Sequence, residues 1–224
     1  MRAVLVPGFT QTPASWGGVV AALRPEVEPV TPDVPTDLDW PATVATLART
    51  GGRGTWVGYS MGGRLALAVA LDHPRLVDRL VLVSTTAGLA DDHERAARAA
   101  ADEQVAREIE RDGVGAFLDR WLAQPLFAGV PRDAPGIRER ARWSARELAA
   151  ALRHLGTGTM PNFWPRLQEL TAAVTIVTGR HDAKYTAIGD AIAVSCTGAD
   201  VTRVHLDSGH AIPLEQPGAL AALV

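Results

Sequence analysis

Residues 55–71 read TWVGYSMGGRLALAVAL, and the reading of this stretch decides the fold. Thr55-Trp56-Val57 is a short apolar run of strand-forming residues. Leu65–Leu71 is apolar nearly all round, the pattern of a helix buried on every side. Between them, Gly58-Tyr59-Ser60-Met61-Gly62 fits G-x-S-x-G, in which a serine is presented on a tight strand-to-helix turn and the glycines let the helix pass close to the strand. A glycine-rich bend with a capping serine would use the same letters. The strand before and the apolar helix after favour a presented nucleophile at Ser60.

Outward from this stretch the alternation continues. Val4–Val6, Val27–Thr31, Leu80–Val83, Val174–Val177 and Val201–Leu206 read as strands, and Ala42–Arg49 reads as a helix closed by Gly51-Gly52. His73-Pro74 should end the helix that follows Ser60. Continuous apolar strands alternating with helices imply an α/β fold with a mostly parallel sheet covered on both faces. The alternation fails between about 88 and 161. That stretch is rich in Ala, Arg and Glu, with helical periodicity over Asp91–Arg111, Val114–Ala123 and Ile137–Leu155 and a Gly/Pro break at Gly129–Gly136. The expected organisation is therefore a core of residues 1–87 and 162–224 with a helical cap insertion at 88–161.

Composition narrows the function classes. With 224 residues, 47% hydrophobic and 21% charged, the chain suits one sizeable core. A formal charge of −3 gives no general attraction to nucleic acid. One cysteine, Cys196, rules out an internal disulfide and any multi-thiol metal motif. No stretch approaches the ~18 apolar residues of a membrane span, and the opening MRAVLVPGF is too short for a signal peptide. A cytoplasmic location is expected, with no nucleic acid or membrane as partner. The sequence leaves the oligomeric state open.

A serine hydroxyl becomes reactive when a histidine takes its proton and a carboxylate fixes that histidine. In this fold the partners follow in the order serine, acid, histidine. His210, in the polar turn Asp207-Ser208-Gly209-His210 directly after the last strand, would stand at the sheet's carboxyl edge. The remaining histidines, 73, 93, 154, 181 and 205, fall at a helix end, in the insertion, in a loop or in a strand. For the acid, Asp182 is best placed, just past Val177-Thr178-Gly179. Asp207 and Asp190 remain alternatives, and Asp182 could instead be an N-cap. Charge on a substrate oxygen needs paired backbone donors, here the Met61 N–H and, from the turn Pro7-Gly8-Phe9-Thr10, the Phe9 N–H. Thr10 and Gln11 could add side-chain donors.

If Met61 begins a helix, Ser60 and Arg64 share a face. The insertion adds Arg95, Arg98, Arg138, Arg140 and Arg142. Guanidinium pairs bidentately with carboxylate, so converging arginines suggest a small polyanionic substrate. Each alone is equally readable as a solvated helix residue.

Together, PGFTQTPASW, GYSMGGRLAL, ERAARAAADEQ, RWLAQPLFA, LRHLGTGTMPNFW, TGRHDAKY and SGHAIPLEQP make the chain resemble, over nearly its whole length, the MenH family of α/β-hydrolase-fold enzymes, the 2-succinyl-6-hydroxy-2,4-cyclohexadiene-1-carboxylate synthases of menaquinone biosynthesis. The resemblance implies a lyase that eliminates pyruvate, forming a diene, through Ser60, His210 and Asp182 and with neither metal nor organic cofactor. It also implies Arg64, Arg98 and Arg140 as carboxylate binders, with Tyr59 and Trp121 shaping the pocket. The sequence departs from hydrolases of this fold in having Pro7-Gly8 where His-Gly is usual, no glycine-rich loop over Asp33–Asp37, and Ile212-Pro213 where another His is often found. The end of the chain, Val224, falls within the expected last helix. Two other functions fit the same residues: an ester or thioester hydrolase working through an acyl-enzyme, and a non-catalytic binding protein that kept the fold.

Overall fold

The computed structural model describes residues 1–224. Six strands, β1 (Arg2–Val6), β2 (Glu28–Val30), β3 (Gly54–Tyr59), β4 (Val77–Val83), β5 (Ala173–Gly179) and β6 (Val201–Leu206), form one sheet in the order β2-β1-β3-β4-β5-β6. Every neighbouring pair is parallel. All the carboxyl ends therefore lie along one edge, and loops leaving that edge converge.

The period-2 alternation of the strands divides the core in two. Val4, Val6, Trp56, Leu80, Leu82, Val174 and Ile176 face one side, where they meet α2 (Trp40–Gly51), α3 (Met61–Asp72) and Ile192 of α7 (Ala183–Ser195). Ala3, Leu5, Val57, Val81, Val83 and Val177 face the other, against Val19 of α1 (Gly17–Ala22), Ile212 and Leu214 of α8 (Ile212–Glu215), and Leu220 of α9 (Pro217–Ala221). Burying one such side chain contributes roughly 1.5–3 kcal/mol. Helix α3 has no exposed stripe, and Met61 to Leu71 are all buried, as its sequence requires.

Between β4 and β5 the chain forms α4 (Asp92–Asp112), α5 (Val114–Leu122) and α6 (Ala145–Leu155), with short 3-10 turns at Pro125–Phe127 and Arg138–Arg142. Ala106, Ile109, Phe117, Leu118, Leu148, Ala149 and Leu152 pack these helices into a third apolar cluster, touched by Phe9 of the core. The single helix expected over Ile137–Leu155 is corrected: Arg138–Arg142 is a 3-10 turn, and α6 starts afresh after Ser144. The cause is a reciprocal cap, in which Ser144 Oγ accepts from the Glu147 N–H while Glu147 Oε2 accepts from the Ser144 N–H. No helix is long and apolar enough to cross a membrane.

Candidate active site

The turn from β3 into α3 is built by two close approaches. A Cβ on Gly58 would strike the Gly62 carbonyl, and one on Gly62 would strike the carbonyls of Val6 and Pro7. With both positions reduced to glycine, the helix leaves the strand sharply and Ser60 takes φ 52°, ψ −112°. A non-glycine residue adopts that conformation only under strain held by its surroundings. Those surroundings are hydrogen bonds: Ser60 N–H donates to Val83 O at 2.9 Å, and Thr85 Oγ1 donates to Ser60 O at 2.7 Å.

The loops after β5 and β6 meet at the same edge. Their backbones are joined, Arg180 N–H to Leu206 O at 2.9 Å and His181 N–H to Ser208 O at 3.0 Å. This brings Asp182 Oδ2 to 2.7 Å from His210 Nδ1, and His210 Nε2 to 3.3 Å from Ser60 Oγ. Three side chains separated widely in sequence are thus within proton-transfer reach. Asp182 also caps α7, its Oδ1 accepting from the Tyr185 N–H at 3.3 Å, so one carboxylate makes both the helix cap and the hydrogen bond to His210. The alternatives for the acid lie elsewhere: Asp207 pairs with the exposed His181, and Asp190 with Arg203.

These residues open into a cavity of about 270 Å³, roofed by the helical segment. It is lined by Ser60 and His210, by Phe9, Tyr59 and Met61, by Arg64, Arg98 and Arg140, and by Trp121. Of the triad, the two amide donors and the five residues the resemblance gives to substrate, all but Asp182, which stands behind His210, line one space. The Met61 N–H is the first of α3, where no intrahelical acceptor exists, and the Phe9 N–H donates to no group of the protein. Both N–H groups are thus left without an acceptor in the protein, on residues that line the cavity.

The arginines differ in what already holds them. Arg64 is buried and donates only to Leu155 O at 2.8 Å and Met160 Sδ at 3.7 Å. Burial lowers its pKa to about 10, leaving it a cation at neutral pH. Arg140 is 1% exposed, donates to Thr10 Oγ1 at 2.7 Å, and leaves its Nε without a partner in the protein. Burial lowers its pKa too. Neither has a carboxylate partner. Arg98, at the rim, is paired with Asp102 at 2.8 Å. Arg95, Arg138 and Arg142 do not line the cavity; Arg95 pairs with Asp92, and Arg142 with Asp33.

Tyr185, Phe127 and Asp102 also line the cavity and had no role in the sequence reading. The Tyr185 ring lies tilted with its centroid 4.4 Å from that of His210, and burial raises its pKa, as it does for Tyr59, whose ring is 5.4 Å from the same imidazole. Both hydroxyls stay protonated and can donate. Its signal was a place one turn after Asp182. Phe127 packs edge-on to His210, and Asp102 holds Arg98 from one helical turn away. Gln11, read only as a possible donor, accepts from the Gly8 N–H through Oε1 at 3.0 Å and so fixes the turn that carries Phe9. No three His, Cys, Asp or Glu side chains converge in a way that would hold a metal.

Comparison with known proteins agrees with this architecture. The profile described as "Alpha/beta hydrolase family" matches residues 3–223. A protein of Bacillus subtilis (strain 168), named as a candidate 2-succinyl-6-hydroxy-2,4-cyclohexadiene-1-carboxylate synthase, is 37% identical over 173 residues, which are 75% of this chain and 63% of that protein. The enzyme of that name from Serratia proteamaculans (strain 568) is 31% identical over 221 residues, 91% of this chain and 84% of its own length. The solved structure of MenH from S. aureus superposes with a TM-score of 0.89 at 25% identity, covering 100% of this chain and 91% of that one.

Proposed function

We propose that this chain, an enzyme that belongs to the alpha/beta hydrolase family and to its MenH-like members, serves menaquinone biosynthesis by eliminating pyruvate from a succinyl-cyclohexene polycarboxylate. One observation carries the reading. Two buried arginines without carboxylate partners, Arg64 and Arg140, line the same cavity as Ser60 and His210. A cation held without a counter-ion in a buried site is costly, and an anionic substrate offsets that cost. An enzyme for neutral esters would gain nothing from it.

In this reading Arg64, Arg140 and the rim residue Arg98 take the carboxylates, while Tyr59 and Trp121 bound the ring. Ser60 Oγ removes the ring proton beside the succinyl ketone, passing its own proton to His210 Nε2. Asp182 holds the imidazole in the tautomer that accepts it and stabilises the imidazolium that results. The electron pair released from the C–H bond places charge on the ketone oxygen, where the Phe9 and Met61 N–H groups receive it. That charge returns to form the ring diene as the C–O bond to the enolpyruvyl group breaks, and the departing enolate takes up a proton to become pyruvate. No metal or organic cofactor enters this sequence of steps.

The same serine and amides are suited to an acyl-enzyme on an ester or thioester. The test separates the two. Supplied with the pyruvyl-ether menaquinone precursor, the enzyme should release one pyruvate per diene formed, with no acylated Ser60 accumulating. Turnover of a small activated ester with a burst of acylated Ser60, and no pyruvate from the precursor, would replace elimination by hydrolysis.

A further inference from the structure

Glu215 does not line the cavity and makes no hydrogen bond to the imidazole or to Ser60. Its carboxylate nonetheless takes the two backbone N–H groups that flank His210: Oε2 accepts from Gly209 at 2.7 Å and Oε1 from Ala211 at 2.9 Å. Hydrogen bonds to an ionised acceptor are roughly twice as strong as neutral ones. No cation pairs with Glu215, so both oxygens are committed to this loop.

The opposite side of the loop is held by the acid-bearing turn, through the bonds of Arg180 and His181 to Leu206 O and Ser208 O. Gly179 has no room for a Cβ against the Gly209 and Ser208 carbonyls. Above, the helical segment brings Gly129 so near that a Cβ there would strike Glu215 Oε2. The histidine loop is thus held by the acid-bearing turn and by Glu215, which the helical segment backs, and only Glu215 grips it on both sides of His210. The consequence falls on a distance. His210 Nε2 stands 3.3 Å from Ser60 Oγ, the long edge of a useful hydrogen bond, where a further drift breaks proton transfer.

We propose that Glu215 is a positioning residue, fixing the His210 backbone so that Nε2 addresses Ser60 Oγ; this rests on the proton-transfer role given to His210 above. A carboxylate that served only as a local cap of the four-residue α8 would affect stability without affecting the rate of folded enzyme.

The experiment compares wild type with Glu215→Ala and Glu215→Gln in two assays. One is pyruvate release. The other is the rate at which a p-nitrophenyl phosphonate ester modifies Ser60, a step in which the Oγ–P bond forms, p-nitrophenolate leaves and His210 takes the serine proton. Glu215→Ala should lose about 10²-fold in kcat, the cost of a misplacement near 1 Å, and a comparable factor in phosphonylation, with KM within about threefold. Glu215→Gln keeps one acceptor and should recover part of both losses. Folded Glu215→Ala that is phosphonylated at the wild-type rate, or that changes only in KM, overturns the proposal. Should Glu215→Ala fail to fold, Glu215→Gln decides: a wild-type phosphonylation rate overturns it and a loss of about tenfold supports it. A wild-type enzyme that is phosphonylated yet releases no pyruvate would sink the elimination reading and leave this one standing.

Discussion

Asp182 Oδ2 lies 2.7 Å from His210 Nδ1, and neither side chain is more than 4% exposed. The same carboxylate caps α7 through the Tyr185 N–H, so truncating it would remove a helix cap along with the partner of the imidazole. Asn caps a helix about as well as Asp, which allows the two roles to be separated. Asp182→Asn should retain its thermal stability within about 1 kcal/mol, leave KM for the substrate little changed, and lower kcat by about 10⁴-fold, because an amide permits the wrong imidazole tautomer. Steady-state kinetics with a parallel melting curve checks both halves.

Ser60 carries strain that a glycine would relieve. Its φ of 52° with ψ −112° lies in a region open to glycine and disfavoured for other residues. Ser60→Ala and Ser60→Gly both lack the hydroxyl and should both be inactive, yet they should differ in stability. After the entropy that glycine itself costs, Ser60→Gly should exceed Ser60→Ala by about 1 kcal/mol in denaturant unfolding. Equal stabilities would mean that the elbow is unstrained.

The parts of the site that could be read from the sequence are those fixed by strand ends. Ser60, Asp182 and His210 each follow an apolar strand by a short turn containing glycine, and parallel strands must deliver such turns to one edge. β1, β3, β4, β5 and the long α3 were legible because their apolar runs state that they are buried, whereas the edge strands β2 and β6 have no fully buried residue. Tyr185 and Phe127 were not, since ring packing against His210 is decided by contacts between distant segments. The depth of each arginine was hidden too. Arg98 sits at the rim while Arg140 is almost wholly buried, and helical periodicity over Ile137–Leu155 could not separate them because Arg138–Arg142 is not α-helical. The break was written in the letters Ser144-x-x-Glu147, a helix-start signal outweighed by the run of helix formers around it.

Gly62 tests how tightly the elbow is built. A Cβ there would meet the backbone carbonyls of Val6 and Pro7, which belong to β1 and the turn after it and cannot rotate away as a side chain can. Gly62→Ala must therefore push α3 off the sheet. A loss of about 3 kcal/mol or more is expected, seen as a lower denaturant midpoint, together with displacement of the Met61 N–H. Gly115, on α5, offers the control, because a Cβ added there would meet nothing within 4 Å. Gly115→Ala should be neutral or stabilising by up to about 1 kcal/mol.

Arg64 sets stability against binding. Burial lowers its pKa well below that of a free guanidinium, to about 10, so at neutral pH it is a cation held in the fold at a cost of about 3 kcal/mol. Both folded and unfolded chains carry this proton below pH 10; above that the unfolded chain, with its ordinary guanidinium, binds more, and the penalty falls as pH rises. Arg64→Met removes the charge while filling much of the volume, leaving Leu155 O to lose one hydrogen bond. The ligand-free variant should melt no lower than wild type, and about 2–4 °C higher if 1 kcal/mol is recovered. Its KM for the anionic substrate should rise at least tenfold. In wild type the KM should stay flat with respect to this group through neutral pH and climb as pH passes about 10, where the guanidinium loses its proton. A variant that melts markedly lower and keeps its KM would make Arg64 a structural residue and remove the main support for a polycarboxylate substrate.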